Sequence, residues 1–334
     1  MKKRTMRLGC ILLSTVLLGM VALTGCGQAK RNTTDTKKTE SSSTKGSAKE
    51  KKGPGIDGLT YEFTMDLEYA EGFQVYYYKD GYKMIDIKGD AKFLVVPENQ
   101  DVPDGVDEDY VILQQPLDHI YLAATSAMAL FNAIDSLDNI TMTGTQASGW
   151  YIENAVKAMD DGKIKFAGKY SEPDYEKIVD GDCKLAVEST MILHSPKVQE
   201  MIEDLDIPVF VDYSSYESHP LGRTEWIKVY GAMLNKEKEA EAFFDDQAKV
   251  IEDLKDFKNT EKTVAYFYIN TDGSVVVRKS DDYIPTMIEI AGGRYVFKDL
   301  KNSEGNAPSV KLTMEEFYAT AVDADYLIYN GTID

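Results

Sequence analysis

The feature that most constrains the fold is a repeated order of hydrophobic strand, loop and helix that begins near residue 119. This alternation is typical of parallel α/β layers, in which the loops at the carboxyl ends of the strands are available to a ligand. We therefore predict an α/β lobe that ends near residue 222. Its strand-like apolar segments are residues 119–124, 140–145, 184–187 and 208–211.

A run of apolar residues at helical spacing, residues 224–254, interrupts this order. It contains Trp226, Val229 and Met233, and it allows a break near Asn235. The strand-and-helix order then resumes, which predicts a second α/β lobe. The fold class expected from the sequence is α/β, with two α/β lobes joined by a long connecting α-helix. The predicted segments are an N-terminal lobe at 56–222, an inter-lobe helix at 223–255 and a C-terminal lobe at 256–334.

The beginning of the first lobe has a different pattern, in which apolar and polar residues alternate. Residues 73–78 and 82–87 show this alternation on either side of Lys79-Asp80-Gly81. An Asp-Gly turn between two alternating segments indicates a β-hairpin. Residues 59–63 and 93–97 are predicted to add further strands to this N-terminal β-hairpin region.

The first 26 residues indicate export. Four basic residues precede an apolar run over residues 8–23 that is short for a membrane-spanning helix. The run ends in Leu23-Thr24-Gly25-Cys26, which resembles a bacterial lipobox. We predict a signal peptide at residues 1–25, lipidation of Cys26, and a lipid-anchored flexible tether at residues 26–55 outside the cell membrane. The alternative is an ordinary signal peptide with a cysteine nearby.

Charge and cysteine content exclude some classes of function. Residues 1–55 hold 12 of the 37 basic and three of the 56 acidic side chains, which leaves 25 against 53 and a net charge of −28 for the remainder. Such an acidic body is not expected to bind nucleic acid. After processing, Cys183 is expected to have no cysteine partner, so we predict a small core thiol and no disulfide framework.

Three segments resemble the substrate-binding proteins of ABC importers for iron complexes and cobalamin. Residues 216–234 resemble the entry to the helix between the lobes in that family, and Met287-Ile288-Glu289-Ile290-Ala291-Gly292-Gly293 resembles its helix ending in Ala-Gly-Gly. Residues 312–317, before the last strand, fit as well. The resemblance extends over about residues 115–334.

The resemblance implies partners and a cargo. It implies docking onto an ABC permease, with its ATPase, through one glutamate on each lobe, and the matching positions are Glu176 and Glu315. It also implies a C-terminal lobe that is incomplete, since the family continues beyond the strand at 326–329. The expected cargo is a metal chelate, a ferric siderophore first. No intrinsic cofactor is expected, and the protein is expected to be a monomer.

Ligand contacts are expected from loops at the ends of strands, where tyrosines are abundant and offer apolar area with a polar tip. The family often binds anionic groups with Arg and Tyr, so Arg223, Arg278 and Arg294 are candidates, although a structural role is preferred for Arg223. The predicted ligand-binding residues are Thr125, Ser126, Trp150, Tyr151, Lys169, Tyr170, Glu188, Ser189, Thr190, Tyr213, Tyr216, Arg278 and Tyr283.

Other readings stay open at this point. Cobalamin and haem are alternative cargoes, and Met191 and His194 lie near one predicted loop. A Zn or Mn site would need three or four converging ligands, whereas His119, His194 and His219 lack short ligand spacing, so no metal site is predicted. Glu188-Ser189-Thr190 with His194 is the nearest approach to a hydrolase, but no nucleophile elbow or phosphate loop is present and no enzyme is expected. An adhesin or sensor is the third class.

Overall fold

The computed structural model describes residues 53–254, 257–300 and 308–331. The predicted signal peptide, Cys26 and the tether up to residue 52 lie outside the described residues. Within the described ranges, no helix is both long enough and apolar enough to cross a membrane.

The N-terminal region is a five-stranded sheet that begins with the predicted hairpin. Each strand pairs with the next along the chain; the pairings are antiparallel up to β4, and β5 is parallel to β4. Asp80 and Gly81 both have positive φ (62° and 85°), the conformation that the Asp-Gly turn was expected to provide. The fifth strand was not predicted. The strands are β1 (Tyr61–Thr64), β2 (Phe73–Tyr78), β3 (Lys83–Ile87), β4 (Lys92–Val96) and β5 (Tyr110–Gln114).

The N-terminal lobe is built on a fully parallel sheet, as the alternation predicted. The strand order is β12-β11-β6-β7-β8, and the two remaining strands form a small hairpin beside it. Its strands are β6 (Ile120–Leu122), β7 (Ile140–Thr143), β8 (Lys165–Phe166), β9 (Gly168–Lys169), β10 (Glu172–Pro173), β11 (Leu185–Ser189) and β12 (Val209–Asp212). Its helices are α1 (Ala127–Ala133), α2 (Glu153–Asp160), α3 (Tyr175–Asp180) and α4 (Pro196–Glu203).

Both faces of this sheet are buried, which explains why its strands are almost continuously apolar. Leu185 and Val187 of β11 belong to the main core, whereas Ala186 between them belongs to a second cluster on the opposite face. We call this second group the lower cluster. Its buried members are Tyr121, Ala123, Met142, Ala167, Ile178, Cys183, Ala186, Ile192, Ile202, Ile207, Val209 and Val211. Cys183 is a buried free thiol, and burial raises its pKa to about 11.

The connecting segment is helical, but it consists of three helices instead of one: α5 (Pro220–Glu225), α6 (Ile227–Leu234) and α7 (Glu237–Asp253). The break falls at Asn235, whose left-handed backbone (φ 57°) ends α6. Asn tolerates this conformation and commonly ends helices in this way. Because α7 then packs back along α6, every residue from Ile227 to Met233 is buried. The connector is therefore part of the main core.

The C-terminal lobe contains a second, mixed sheet. Strand β13 is parallel to β15 and β17 and antiparallel to β14, which pairs in turn with β16. Gly292 (φ 78°) follows the helix at Tyr283–Ile290, and a Cβ there would lie 2.8 Å from the Phe257 ring. Strands β14, β15 and β16 were not predicted. The elements are β13 (Lys262–Ile269), β14 (Val275–Arg278), α8 (Tyr283–Ile290), β15 (Gly293–Tyr295), β16 (Ser309–Leu312), α9 (Met314–Ala321) and β17 (Tyr326–Tyr329).

Candidate functional site

The candidate site lies along the carboxyl edge of the parallel sheet. Strand register places Leu122 beside both Val187 and Thr143, and Ser189 beside Asp212, so four strands end at the same edge. The backbone N–H groups of Ala123 and Ala124 both donate to the Val187 carbonyl, which fixes the loop after β6. We call the loops that follow these strands the edge loops; they are residues 123–126, 144–152, 189–195 and 213–219.

Most of the predicted N-terminal ligand residues lie in the edge loops. The structure therefore brings these loops together, while their contact with a ligand stays a prediction. The Tyr151 side chain is 96% exposed, and Tyr216 is 54% exposed. The Tyr213 and Tyr216 rings are 5.8 Å apart. The predicted residues in this group are Thr125, Ser126, Trp150, Tyr151, Ser189, Thr190, Tyr213 and Tyr216.

Two residues of these loops have distinctive surroundings. Ser126 has a helical backbone, and its side chain makes no capping hydrogen bond to α1. Trp150 is only 9% exposed, because its ring packs in the main core while its indole N–H donates to the Thr145 carbonyl (3.3 Å). Trp150 therefore packs under its loop, and little of its ring is exposed to solvent.

Three other predicted residues lie away from the exposed edge. Lys169 and Tyr170 belong to the β9–β10 hairpin, where Lys169 is exposed and Tyr170 packs against the lower cluster. Glu188 is fully buried on the face of β11 that contacts the lower cluster. Neither Glu188 carboxylate oxygen has a hydrogen-bond partner, and burial raises its pKa to about 8. The carboxyl is thus buried, while its contact with a ligand stays a prediction.

The edge loop after β12 meets the C-terminal lobe through Arg223. Its guanidinium donates to the carbonyls of Ser214 (3.2 Å) and Ser215 (2.7 Å) and lies over the Tyr283 ring, 3.7 Å from the ring centroid. The Thr286 hydroxyl donates to the Ser218 carbonyl across the same junction (3.1 Å). Arg223 therefore has the structural role that the sequence favoured, and Tyr283 is held at the first turn of α8.

Arg278, the predicted C-terminal ligand residue, is also engaged. Its guanidinium lies 3.7 Å from the Asp282 carboxylate, and the Asp282 side chain accepts a hydrogen bond from the Ile284 N–H at the start of α8. Burial raises the pKa of Asp282, while Arg278 and Arg223 oppose that shift. Arg294 lies opposite Thr263, near the amino end of β13, with its guanidinium 3.3 Å from Glu261.

A pocket of about 370 Å³ opens between the last edge loop, the C-terminal lobe and the N-terminal sheet. Burial, followed by the nearby Asp90 carboxylate, raises the pKa of Tyr213 to about 12. Sequence reasoning missed this contribution of the N-terminal sheet, because no local pattern brings the turn after β3 to an edge loop. The pocket is lined by Glu71, Gly72, Lys88, Tyr213, Tyr216, Glu217, Ser218 and Asp281.

Two buried carboxylates fix the N-terminal sheet to the start of the connector. Glu225 accepts backbone hydrogen bonds from Glu68, Tyr69 and Ala70 (2.8–3.2 Å), and Glu217 accepts from Glu71 and Gly72 (2.8–3.1 Å). We call this arrangement the carboxylate clamp. One sequence signal could have revealed the clamp. Glu225 and Lys228 are charged residues three positions apart in an otherwise apolar helical run, a spacing that favours an ion pair. In the structure these side chains are buried and lie 3.1 Å apart.

The two glutamates expected to contact a permease occupy equivalent positions. Glu176 is the second residue of α3, behind the cap Asp174, and Glu315 is the second residue of α9, behind the cap Thr313. Both side chains are exposed. The two helix starts are thus alike in the structure, while their contact with a permease stays a prediction.

The residues considered for a hydrolase or a metal site have other surroundings in the structure. His194 is exposed, and the Ser189 hydroxyl accepts from the Met191 N–H (3.4 Å). His219 caps α5 through Nδ1 and stacks on Tyr69 at 4.5 Å. Within residues 53–254, 257–300 and 308–331, no group of three His, Cys, Asp or Glu side chains converges as a metal site would require.

Comparison with known proteins identifies the family. A periplasmic binding protein family model matches residues 122–331. Two uncharacterised lipoproteins of Methanocaldococcus jannaschii are similar to the chain. One is 29% identical over 78% of this chain and 68% of its own length, and the other is 28% identical over 95% and 79%.

Solved structures share the fold. A periplasmic binding protein from Veillonella parvula aligns with a TM-score of 0.53 at 17% identity, covering 69% of this chain and 75% of that one. A periplasmic haem-binding protein of Vibrio cholerae aligns with a TM-score of 0.50 at 16% identity, covering 64% and 76%. The family model, the parallel sheet with its edge loops and the second lobe agree: the chain belongs to the periplasmic binding protein family, the substrate-binding proteins of ABC importers.

Proposed function

We propose that this protein is the lipid-anchored, extracytoplasmic substrate-binding component of an ABC importer, and that it captures an iron complex, a ferric siderophore first. The observation that supports this most is that four edge loops share one edge of the parallel sheet and that the last of them contacts α8 of the second lobe. Three tyrosines, Tyr213, Tyr216 and Tyr283, lie at that junction. Tyrosine combines a large apolar face with a polar tip, which suits a bulky chelate.

The route of the cargo follows from the family and from two features of the chain. Cys26 would hold the protein at the membrane through its lipid, with the basic tether as a spacer. Glu176 and Glu315 would contact arginines of the permease, one from each lobe. This arrangement would place the bound cargo next to the permease, and the partner ATPase would supply the energy for its transport.

Ligand titration tests the proposal. Trp150 lies in an edge loop, so its fluorescence should change when a chelate binds, whereas Trp226 is fully buried. We expect a ferric siderophore to give a saturable change that is lost in Trp150→Phe and kept in Trp226→Phe. Calorimetry with both variants shows whether binding itself is unchanged. Cobalamin, haem and Zn(II), titrated in the same way, are the alternative cargoes.

One result would contradict the proposal. If no ferric chelate, cobalamin, haem or divalent metal bound to the full-length protein, the role of a substrate carrier would be wrong. An adhesin or sensor on the same scaffold would then be the better reading.

A further inference from the structure

The edge loops are unusual in this chain because they present almost no charge. Charged residues make up 28% of the protein, yet the edge loops at 123–126, 144–152, 189–195 and 213–219 contain a single Asp, Glu, Lys or Arg residue. This residue is Glu217, whose carboxylate is bonded in the carboxylate clamp. These segments offer hydroxyl groups and aromatic rings instead, with Tyr151 and Tyr216 the most exposed. The N-terminal wall of the cleft can therefore donate and accept hydrogen bonds but cannot neutralise an ion.

Positive charge from the arginines is already used. Arg223 is bonded to two carbonyls and stacked on Tyr283, and Arg278 lies beside the Asp282 carboxylate. Arg294 is at the amino end of β13 and paired with Glu261. An anion entering the cleft would compete with these internal partners for the charge of the arginines.

The other charged side chains at the pocket are mostly acidic. Glu71, Glu217 and Asp281 line it, and the Asp90 carboxylate lies close to Tyr213. Lys88 is the basic residue among the pocket-lining side chains. The body of the protein carries a net charge of −28. The potential at the cleft is therefore expected to be negative, and it would repel a polyanion.

From these observations we infer that the cargo is an electrically neutral or positively charged metal complex, and not an anionic one. The inference rests on the proposed function and narrows it. Ferric trihydroxamates are neutral because three monoanionic groups balance the ion, whereas ferric tricatecholates are trianions. A neutral complex needs no counter-charge when it loses its water, and its oxygens and ring edges match the hydroxyls and tyrosines of the edge loops.

A comparison of charge classes tests this inference on the full-length protein in detergent. Calorimetric titrations would use a neutral ferric trihydroxamate, a trianionic ferric tricatecholate, cobalamin and haem, whose two carboxylates make it anionic. We expect the trihydroxamate or cobalamin to bind at least about tenfold more tightly than either anionic complex, with little dependence on salt.

Each outcome decides the question. Equal or tighter binding of the tricatecholate or of haem would overturn the inference and leave the proposed carrier function intact. Binding of cobalamin alone would support the inference and replace the siderophore as cargo. Failure of all these complexes and of divalent metal ions to bind would remove the proposed function, and the inference with it.

A variant separates local charge from overall charge. Ser215→Lys adds one positive charge at an exposed position in the last edge loop, where the hydroxyl lies 3.4 Å from that of Thr190. We expect it to tighten tricatecholate binding by about threefold to tenfold. Gln247→Lys adds the same charge to an exposed position of α7 and should change nothing. Equal effects of the two variants would show that the edge loops do not select charge.

Discussion

At the scale of single residues, Glu188 is the least favourably placed side chain in the N-terminal lobe. It is fully buried, both carboxylate oxygens lack a hydrogen-bond partner, and the neighbouring lower cluster is apolar apart from its tyrosine hydroxyls and one thiol. Burial alone raises its pKa, to about 8. An uncharged carboxyl is tolerated in such surroundings, whereas a carboxylate is not. The protonation state of Glu188 therefore affects the stability of the strand that leads to the edge loops.

The resulting pH dependence has a definite sign. The pKa of Glu188 is higher in the folded protein than in the unfolded chain, so the folded state binds the extra proton between those two values. Stability that is present below about pH 4.5 is lost as the pH rises through about 8. Relative to Glu188→Gln, the wild type should lose up to roughly 4 kcal/mol of unfolding free energy over that range.

Urea unfolding of both proteins from pH 5 to pH 9 measures this difference. Glu172→Gln, an exposed glutamate on the β9–β10 hairpin, serves as the control and should follow the wild type. If the difference between wild type and Glu188→Gln stayed constant with pH, the carboxyl would be neutralised or solvated by some other route.

At the scale of elements, the carboxylate clamp joins the N-terminal sheet to the connector. Glu225 is fully buried and accepts three backbone N–H groups while pairing with Lys228. Carboxylates that accept several N–H bonds are strongly stabilised, and removing one leaves buried donors unpaired. The clamp therefore couples the segment before β2 to the helices that carry the second lobe.

Glu225→Ala should lower the free energy of unfolding by about 3–5 kcal/mol, because Lys228 and three N–H groups lose a buried partner. Glu241 is the matched control, since it also pairs with Lys228 (3.4 Å) but its side chain is 55% exposed. Glu241→Ala should cost less than about 1 kcal/mol. Similar losses in the two variants, measured by urea unfolding, would argue against the clamp.

At the scale of the whole molecule, the two lobes present similar helix starts to the outside. The predicted permease contacts are separate from the candidate ligand site, because Glu176 and Glu315 lie outside the edge loops. A change at these helices should therefore affect docking onto a permease and spare the capture of the cargo.

Glu176→Lys combined with Glu315→Lys should abolish uptake of the cargo, because two like charges would face the permease arginines. Cargo affinity, measured by calorimetry, should stay within about twofold of the wild type. Glu153→Lys with Glu239→Lys makes the same charge change in the first turns of α2 and α7 and controls for helix-terminal effects. Normal uptake by the first pair, or a loss of affinity, would contradict the docking assignment.

Local sequence signals predicted several turns, helix ends and buried strands of this protein, while strands such as β5, β14 and β16 escaped them. The Asp80-Gly81 turn, the break at Asn235 and the glycines that end α8 were all readable because each follows from the backbone preference of a few neighbouring residues. The apolar strands at 184–187 and 208–211 were readable because a parallel sheet buried on both faces demands them. The lipobox, the acidic body and the family resemblance likewise came from the sequence alone.

Only the tertiary structure decided which side chains near the edge loops are exposed and which are buried in the core. Glu188 directly precedes an edge loop in the sequence, which made it a ligand candidate. Its carboxyl is nevertheless buried, because alternation along β11 points it toward the lower cluster. Arg278 was a candidate for an anion, and the structure places its guanidinium beside Asp282. Arg223 was expected to be structural, and the structure identifies its partners as the Ser214 and Ser215 carbonyls and the Tyr283 ring. These contacts depend on how loops and helix starts pack against each other, which residue types alone do not specify. The sequence thus determined the scaffold, and packing decided the charge that a cargo meets in the cleft.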